Sequence, residues 1–214
     1  LMGSKEGILH ISMAFVNPGD EILIPNPGYP TYAAVSELVQ AKSIFYDLEE
    51  DNNWQPDFKK LENKVGPRTK IMWINYPNMP TGAKAKKDTL NKLVKFAKKH
   101  DILLVNDNPY SLILNKIPQS ILQNNWPNEH VLELNSLSKT FNLSGWRVGM
   151  LCGHESLIQN VIKVKSNMDS GMFYPIQKGG IKALRSDEDW YEHLNGIYRK
   201  RRALIWQICD NLNL

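Results

Sequence analysis

Lys139 stands in the segment Ser136-Leu-Ser-Lys139-Thr, directly after an apolar run and before a Gly-containing turn. A lysine at a strand end, near the rim of a sheet, is expected to be partly desolvated. Burial disfavours the ammonium form, lowers its pKa and frees the amine for Schiff-base chemistry. Taken alone, such a lysine is more often a solvated surface residue. Its neighbours Ser136, Ser138 and Arg147 add two hydroxyls and a guanidinium fork, a set suited to a phosphate dianion. Near the other end of the chain, Gly3-Ser4-Lys5-Glu6-Gly7 opens a helix expected over 6–15. Its free backbone N–H groups and dipole would make a second anion site, and a plain N-cap is the equal alternative.

Asp107 closes the most hydrophobic run of the chain, Ile102 to Val105, and is expected to be buried. A buried carboxylate needs a partner, and a protonated ring nitrogen of a bound cofactor is one; the amides of the Asn108-Pro109 turn are the other. Tyr29 and Tyr32 lie in a Pro-rich turn where a ring could stack on a planar ligand or simply pack.

These residues must be held by elements whose pattern recurs along the chain. Short apolar runs at 21–25, 42–46, 70–75, 102–106, 131–135 and 146–152 alternate with turns and with segments of helical period. Most runs are continuously apolar, as strands covered on both faces by helices are. The stretch 87–99 carries Leu90, Leu93, Val94 and Ala97 on one stripe. After Gly153 only helices are expected, at 155–165, 176–184 and 187–212. The reading is an α/β fold: a three-layer α/β/α arrangement around a mostly parallel sheet. Ligands of such sheets sit beyond the carboxyl ends of the strands. The turns 26–32, 75–82, 107–110 and 136–139 all fall there, so the residues with chemical potential point at one rim.

Composition narrows the function further. The chain has 214 residues, 42% hydrophobic and 22% charged, with a net charge of +4. The basic run Arg199 to Arg202 lies inside a helical pattern and reads as a solvated face, so no nucleic-acid partner is expected. No apolar run approaches membrane-spanning length and no signal-peptide pattern is present. Cys152 and Cys209 stand far apart without metal-ligand spacing, so neither a metal site nor a disulfide framework is expected and a cytoplasmic setting is favoured.

Ser136-Leu-Ser-Lys-Thr-Phe-Asn-Leu-Ser-Gly-Trp-Arg147-Val-Gly149 resembles the lysine signature of class I/II aminotransferases, with Arg eight residues after the Lys. Asn17-Pro-Gly-Asp-Glu with Pro27-Gly-Tyr29-Pro-Thr-Tyr32 is similar to the family's segment bearing the ring-stacking aromatic. Pro80-Thr-Gly82 resembles its Asn-Pro-Thr-Gly turn and Asp107-Asn-Pro-Tyr110 its Asp-x-x-Tyr. The resemblance extends over nearly the whole chain and implies a fold-type-I enzyme using pyridoxal 5′-phosphate (PLP), generally a homodimer, acting on an amino acid and a 2-oxo acid. It implies that Lys139 forms the Schiff base and moves the proton, Asp107 pairs with the pyridinium nitrogen, Tyr110 donates to O3′ and Tyr29 stacks on the ring. Ser4, Lys5, Ser136, Ser138 and Arg147 would hold the phosphate.

Two departures qualify it. The residue before Pro80 is Met79, where the family has an Asn that bonds O3′; Asn78 is the assigned substitute, with Asn75 as the other choice. The chain also begins abruptly at Leu1 and ends within a helix, so the expectation is a large-domain fragment. Residues 1–186 would form the PLP-binding domain and 187–214 the start of the helix to a small domain carrying the substrate-gripping Arg. A PLP-dependent carbon–sulfur lyase and the PLP-sensing domain of a transcription regulator are the alternative readings.

Overall fold

The computed structural model describes residues 1–86, 88–123 and 128–213. Seven strands form one sheet: β1 (Glu21–Asn26), β2 (Lys42–Glu49), β3 (Gln55–Pro56), β4 (Thr69–Ile74), β5 (Leu103–Asp107), β6 (Val131–Ser136) and β7 (Gly149–Gly153). Their order is β3-β2-β1-β4-β5-β6-β7, with the five inner strands parallel and the two edge strands antiparallel to their neighbours.

The continuously apolar runs split between two faces, because successive side chains of a strand point opposite ways. Ile22 and Ile24 of β1, Ile71 and Trp73 of β4, and Leu103 and Val105 of β5 pack on one side. There they meet Ile8 and Ile11 of α1 (Ser4–Phe15), Tyr32 and Val35 of α2 (Thr31–Leu38), and Val161 of α6 (Glu155–Met168). Leu23, Met72, Ile74 and Leu104 pack on the other, against Leu61 of α3 (Phe58–Glu62) and Leu93, Val94, Phe96 and Ala97 of α4 (Thr89–Lys99). Each fully buried aliphatic side chain contributes about 1.5–3 kcal/mol to holding the layers together. The three-layer expectation holds.

The helix expected over 87–99 begins at Thr89, and Lys87 lies outside the described residues. β2 departs from the continuously apolar pattern: its residues alternate between buried and exposed near the sheet edge. The strand expected over 146–152 begins only at Gly149. Ser144–Trp146 is a single 3-10 turn, and Arg147 adopts a left-handed conformation (φ 55°) that no strand accommodates. Between β6 and that turn lies the short helix α5 (Leu137–Thr140), which carries Lys139. Two further helices, α7 (Tyr174–Leu184) and α8 (Glu188–Leu212), complete the described residues.

Candidate active site

Beyond the carboxyl ends of the parallel strands lies a cavity of about 450 Å³. Its lining brings together Ser4, Lys5, Tyr29, Asp107, Tyr110, Ser136, Ser138, Lys139 and Arg147 from five separate segments of the chain. Asn75, Met79, Pro109 and Ser144, not assigned from sequence, also line it. Asn78 does not. It is buried one residue before the lining, and its side-chain oxygen accepts from the Thr81 hydroxyl at 2.8 Å.

Lys139 is placed by its own local sequence. The Ser136 hydroxyl caps α5 by accepting from Ser138 N at 3.2 Å, while Leu137 and Thr140 are buried and turn the lysine outward. Trp190 of α8 donates its indole N–H to Thr140 O at 3.0 Å, which fixes the end of that helix. The desolvation expected of Lys139 is not found, because the residue is exposed at the cavity.

Asp107 ends β5 and is 3% exposed. Its Oδ2 accepts from the Tyr32 hydroxyl at 3.0 Å, and its Oδ1 is buried without a partner among the described residues. Loss of water pushes its carboxyl up to about 6, and the Tyr32 bond opposes that rise. The sequence offers Tyr32 as a stacking or packing ring and gives no sign of this hydroxyl bond. Its ring stacks on Trp73 at 5.1 Å in the core, and only its hydroxyl serves the site. Burial, then the charge of Asp107, raise the pKa of Tyr110 as well. Tyr29 meets Tyr32 edge-on at 5.7 Å, and Lys5 Nζ lies 5.6 Å from the Tyr29 ring centre.

The anion cradle joins two distant segments. Gly3, not Ser4, is the N-cap of α1, with φ 84° and no side chain to cap the first-turn N–H groups. A Cβ on Gly3 would lie 2.2 Å from Arg147 Nη2, so the guanidinium fills the space a side chain would take. One on Gly149 would lie 2.8 Å from Ser4 N. Arg147 Nη1 donates to Ser144 O at 2.7 Å, which orients the fork. Gly3→Ala is therefore expected to displace Arg147 and to strain a left-handed position, costing about 1 kcal/mol of stability in urea denaturation. Phosphate affinity, measured by calorimetry, should fall with it.

A parallel sheet covered on both faces, with a lysine, a half-satisfied buried carboxylate and an anion cradle at its rim, defines a domain that holds a planar cofactor with an anionic tail. The model of the family Aminotransferase class I and II matches residues 1–214, and the chain belongs to that family. It is 40% identical over its whole length to an LL-diaminopimelate aminotransferase of Aquifex aeolicus, covering 56% of that protein. A second, from Halothermothrix orenii, is 42% identical over 96% of the chain and 53% of the relative. The chain thus spans about half the length of the curated relatives it matches. Among solved structures, apo-BacF of Bacillus subtilis superposes with a TM-score of 0.92 at 35% identity, over 99% of this chain and 54% of that one. An aspartate aminotransferase mutant of Thermus thermophilus gives 0.92 at 28% identity, over 100% and 56%.

The family's cofactor is PLP, and the residues present fit it. The unpartnered Asp107 Oδ1 is a buried acceptor waiting for a donor, and the cradle of Gly3, Ser4 and Arg147 suits a phosphate.

Proposed function

We propose that the chain is the PLP-binding part of an aminotransferase that moves an amino group from an amino acid to a 2-oxo acid. The observation that carries this is the meeting, in one cavity, of Lys139, the buried Asp107 and the Arg147 cradle. Relatives bearing aminotransferase names support it, and nothing in them favours a lyase or a regulator. Residues 1–186 would be the large domain and 187–214 the helix leading from it, Leu214 lying outside the described residues. We further assign a homodimer in the cytoplasm. Both cysteines are free, and among the described residues no helix is long and apolar enough to cross a membrane.

PLP, when bound, supplies an electron sink for the carbon from which a proton is lost. Lys139 Nζ would attach it and afterwards carry the proton. Asp107 Oδ1, unpartnered among the described residues, would accept from the ring N–H and keep the ring cationic, while the Tyr32 hydroxyl holds the second carboxylate oxygen. Tyr110 would donate to the phenolic oxygen, and Tyr29 would cover the ring. The amides of Ser4 and Lys5, the hydroxyls of Ser136 and Ser138, and the Arg147 fork would hold the phosphate.

Met79 presents a thioether where the family presents an amide, and Asn78, the assigned substitute, turns inside its own loop. Met79→Asn is therefore expected to lower the pH midpoint of the visible band of the lysine-bound cofactor by about one unit, the equivalent of one added hydrogen bond. An unmoved midpoint would mean that this position does not reach the phenolic oxygen.

The function is tested by mixing the PLP-loaded protein with single amino acids, beginning with LL-diaminopimelate and aspartate. Conversion of the cofactor to its amine form, reversed by a 2-oxo acid, is the expected result. Release of ammonia and a 2-oxo acid without that conversion would replace transamination by elimination.

A further inference from the structure

Asn75, the other choice for the O3′ contact, is buried at 3% exposure in the cavity wall, and both ends of its amide are bonded to protein main chain. The β4–β5 ladder ends at the pair Ile74 and Asn106, so the carbonyl of Asp107 lies one rung beyond the last main-chain partner. Asn75 Nδ2 supplies the missing donor, at 2.5 Å from Asp107 O. The same amide accepts from Met79 N through Oδ1 at 2.6 Å. One planar group thus bonds the residue that bears the carboxylate and a loop residue of the same cavity wall.

The loop's own bonds, Gly82 N to Asn78 O and Asn78 N to Ala83 O, both at 2.7 Å, close it on itself. Two asparagines tie it to the sheet. Tyr76 N donates to Asn106 Oδ1 at 3.3 Å, and Asn106 in turn donates to the buried Glu133 at 2.9 Å. Of these two, Asn75 is the one whose side chain hydrogen-bonds Asp107. Main chain held by Asn75 and side chain held by Tyr32 leave Asp107 Oδ1 as the carboxylate atom without a partner. A carboxylate fixed at both ends loses little freedom when a ligand donor reaches it, and that is how preorganisation raises affinity.

We propose that Asn75 is a positioning residue of the cofactor site: its amide extends the β4–β5 ladder by one rung and sets Asp107 and Met79 in register for the cofactor ring. This rests on the PLP reading above.

The test compares the apoprotein with Asn75→Ala and Asn75→Asp. The aspartate keeps the acceptor for Met79 N and loses the donor to Asp107 O, and it serves if the alanine variant fails to fold. Thr69→Val is the control, since Thr69 is a buried hydrogen-bonding residue at the opposite end of β4. PLP is titrated into each, reading the dissociation constant and the visible circular dichroism per bound cofactor. In both Asn75 variants the dissociation constant should rise about tenfold, the equilibrium equivalent of one unpaired buried polar group. The dichroism should fall as the ring loses its fixed orientation. Thr69→Val should lower thermal stability and leave both readouts unchanged. Wild-type affinity and dichroism in the Asn75 variants would overturn the inference, as would an equal loss in Thr69→Val. A wild-type protein that binds no PLP would overturn the functional reading, and the inference with it.

Discussion

A Lys139→Ala protein is expected to fold normally and to retain no cofactor after borohydride treatment and dialysis, while the wild type retains one per chain. Lys139 is exposed at the cavity, so its removal should change stability by no more than about 0.5 kcal/mol. Its amine would be both the point of attachment and the group that carries the proton. Transamination should therefore fall by at least about 10²–10⁴-fold, the contribution of a positioned acid-base. PLP should still bind reversibly through the Arg147 cradle and Asp107, so equilibrium dialysis before reduction would find it. Cofactor that stays covalently fixed after reduction and dialysis would move the attachment to another lysine.

The second large effect concerns Asp107 and has opposite signs in the empty and loaded protein. Burial raises its carboxyl from an ordinary 3.8 to about 6. The folded state thus holds the proton more tightly than the unfolded chain does, and stability must fall as pH rises between about 4 and 6. Above that window the empty protein carries a buried carboxylate whose charge only Tyr32 relieves. The loss amounts to about 3 kcal/mol. Asp107→Asn cannot titrate, so its apoprotein should lack this component when the two unfolding curves are subtracted. The half-buried carboxylates Glu62 and Asp169, whose pKa values are lowered by Lys99 and Lys165, give slopes of the other sign and cancel in the difference. With PLP bound the order reverses: the anionic Asp107 gains a cationic partner, and Asp107→Asn should lose both affinity and transamination. Parallel pH curves for the two apoproteins would show that Asp107 is not the group concerned.

Much of this was legible in the chain because each apolar run, read as a doubly covered strand, aims the turn after it at one rim. That reasoning brings Ser136, Ser138 and Lys139 to the same place as Asp107 and Tyr29, and the cavity contains all of them. What escaped depends on where a side chain turns once its backbone leaves regular geometry. The run 146–152 has the composition of a strand, but the guanidinium of Arg147 reaches back over Gly3 and its backbone goes left-handed. Tyr32 looks like packing because its ring is packing; its hydroxyl matters only through a carboxylate 75 residues away. Asn78, the assigned substitute, turns away while Asn75 and Met79 share the cavity wall, the outcome that side-chain alternation along the segment gives. β3 and α3, of two and five residues, are too short to show a period.

The seam between the first residues and β7 bears on the order in which the molecule assembles. Gly149 N donates to Leu1 O at 3.0 Å, and the Gly3 turn packs against Gly149 so closely that a Cβ there would touch Gly3 C at 2.8 Å. The two halves of the anion cradle are thus separated by nearly 150 residues of chain, and β7 can pair only once β6 is in place. Such distant contacts carry the greatest loop-closure entropy and form late on the way to the native state. The nucleus that starts folding must then lie elsewhere, in the local β–α units of the inner strands. A refolding chain would acquire its helical signal well before it could retain phosphate, so ligand capture would time the last step of folding and not the first.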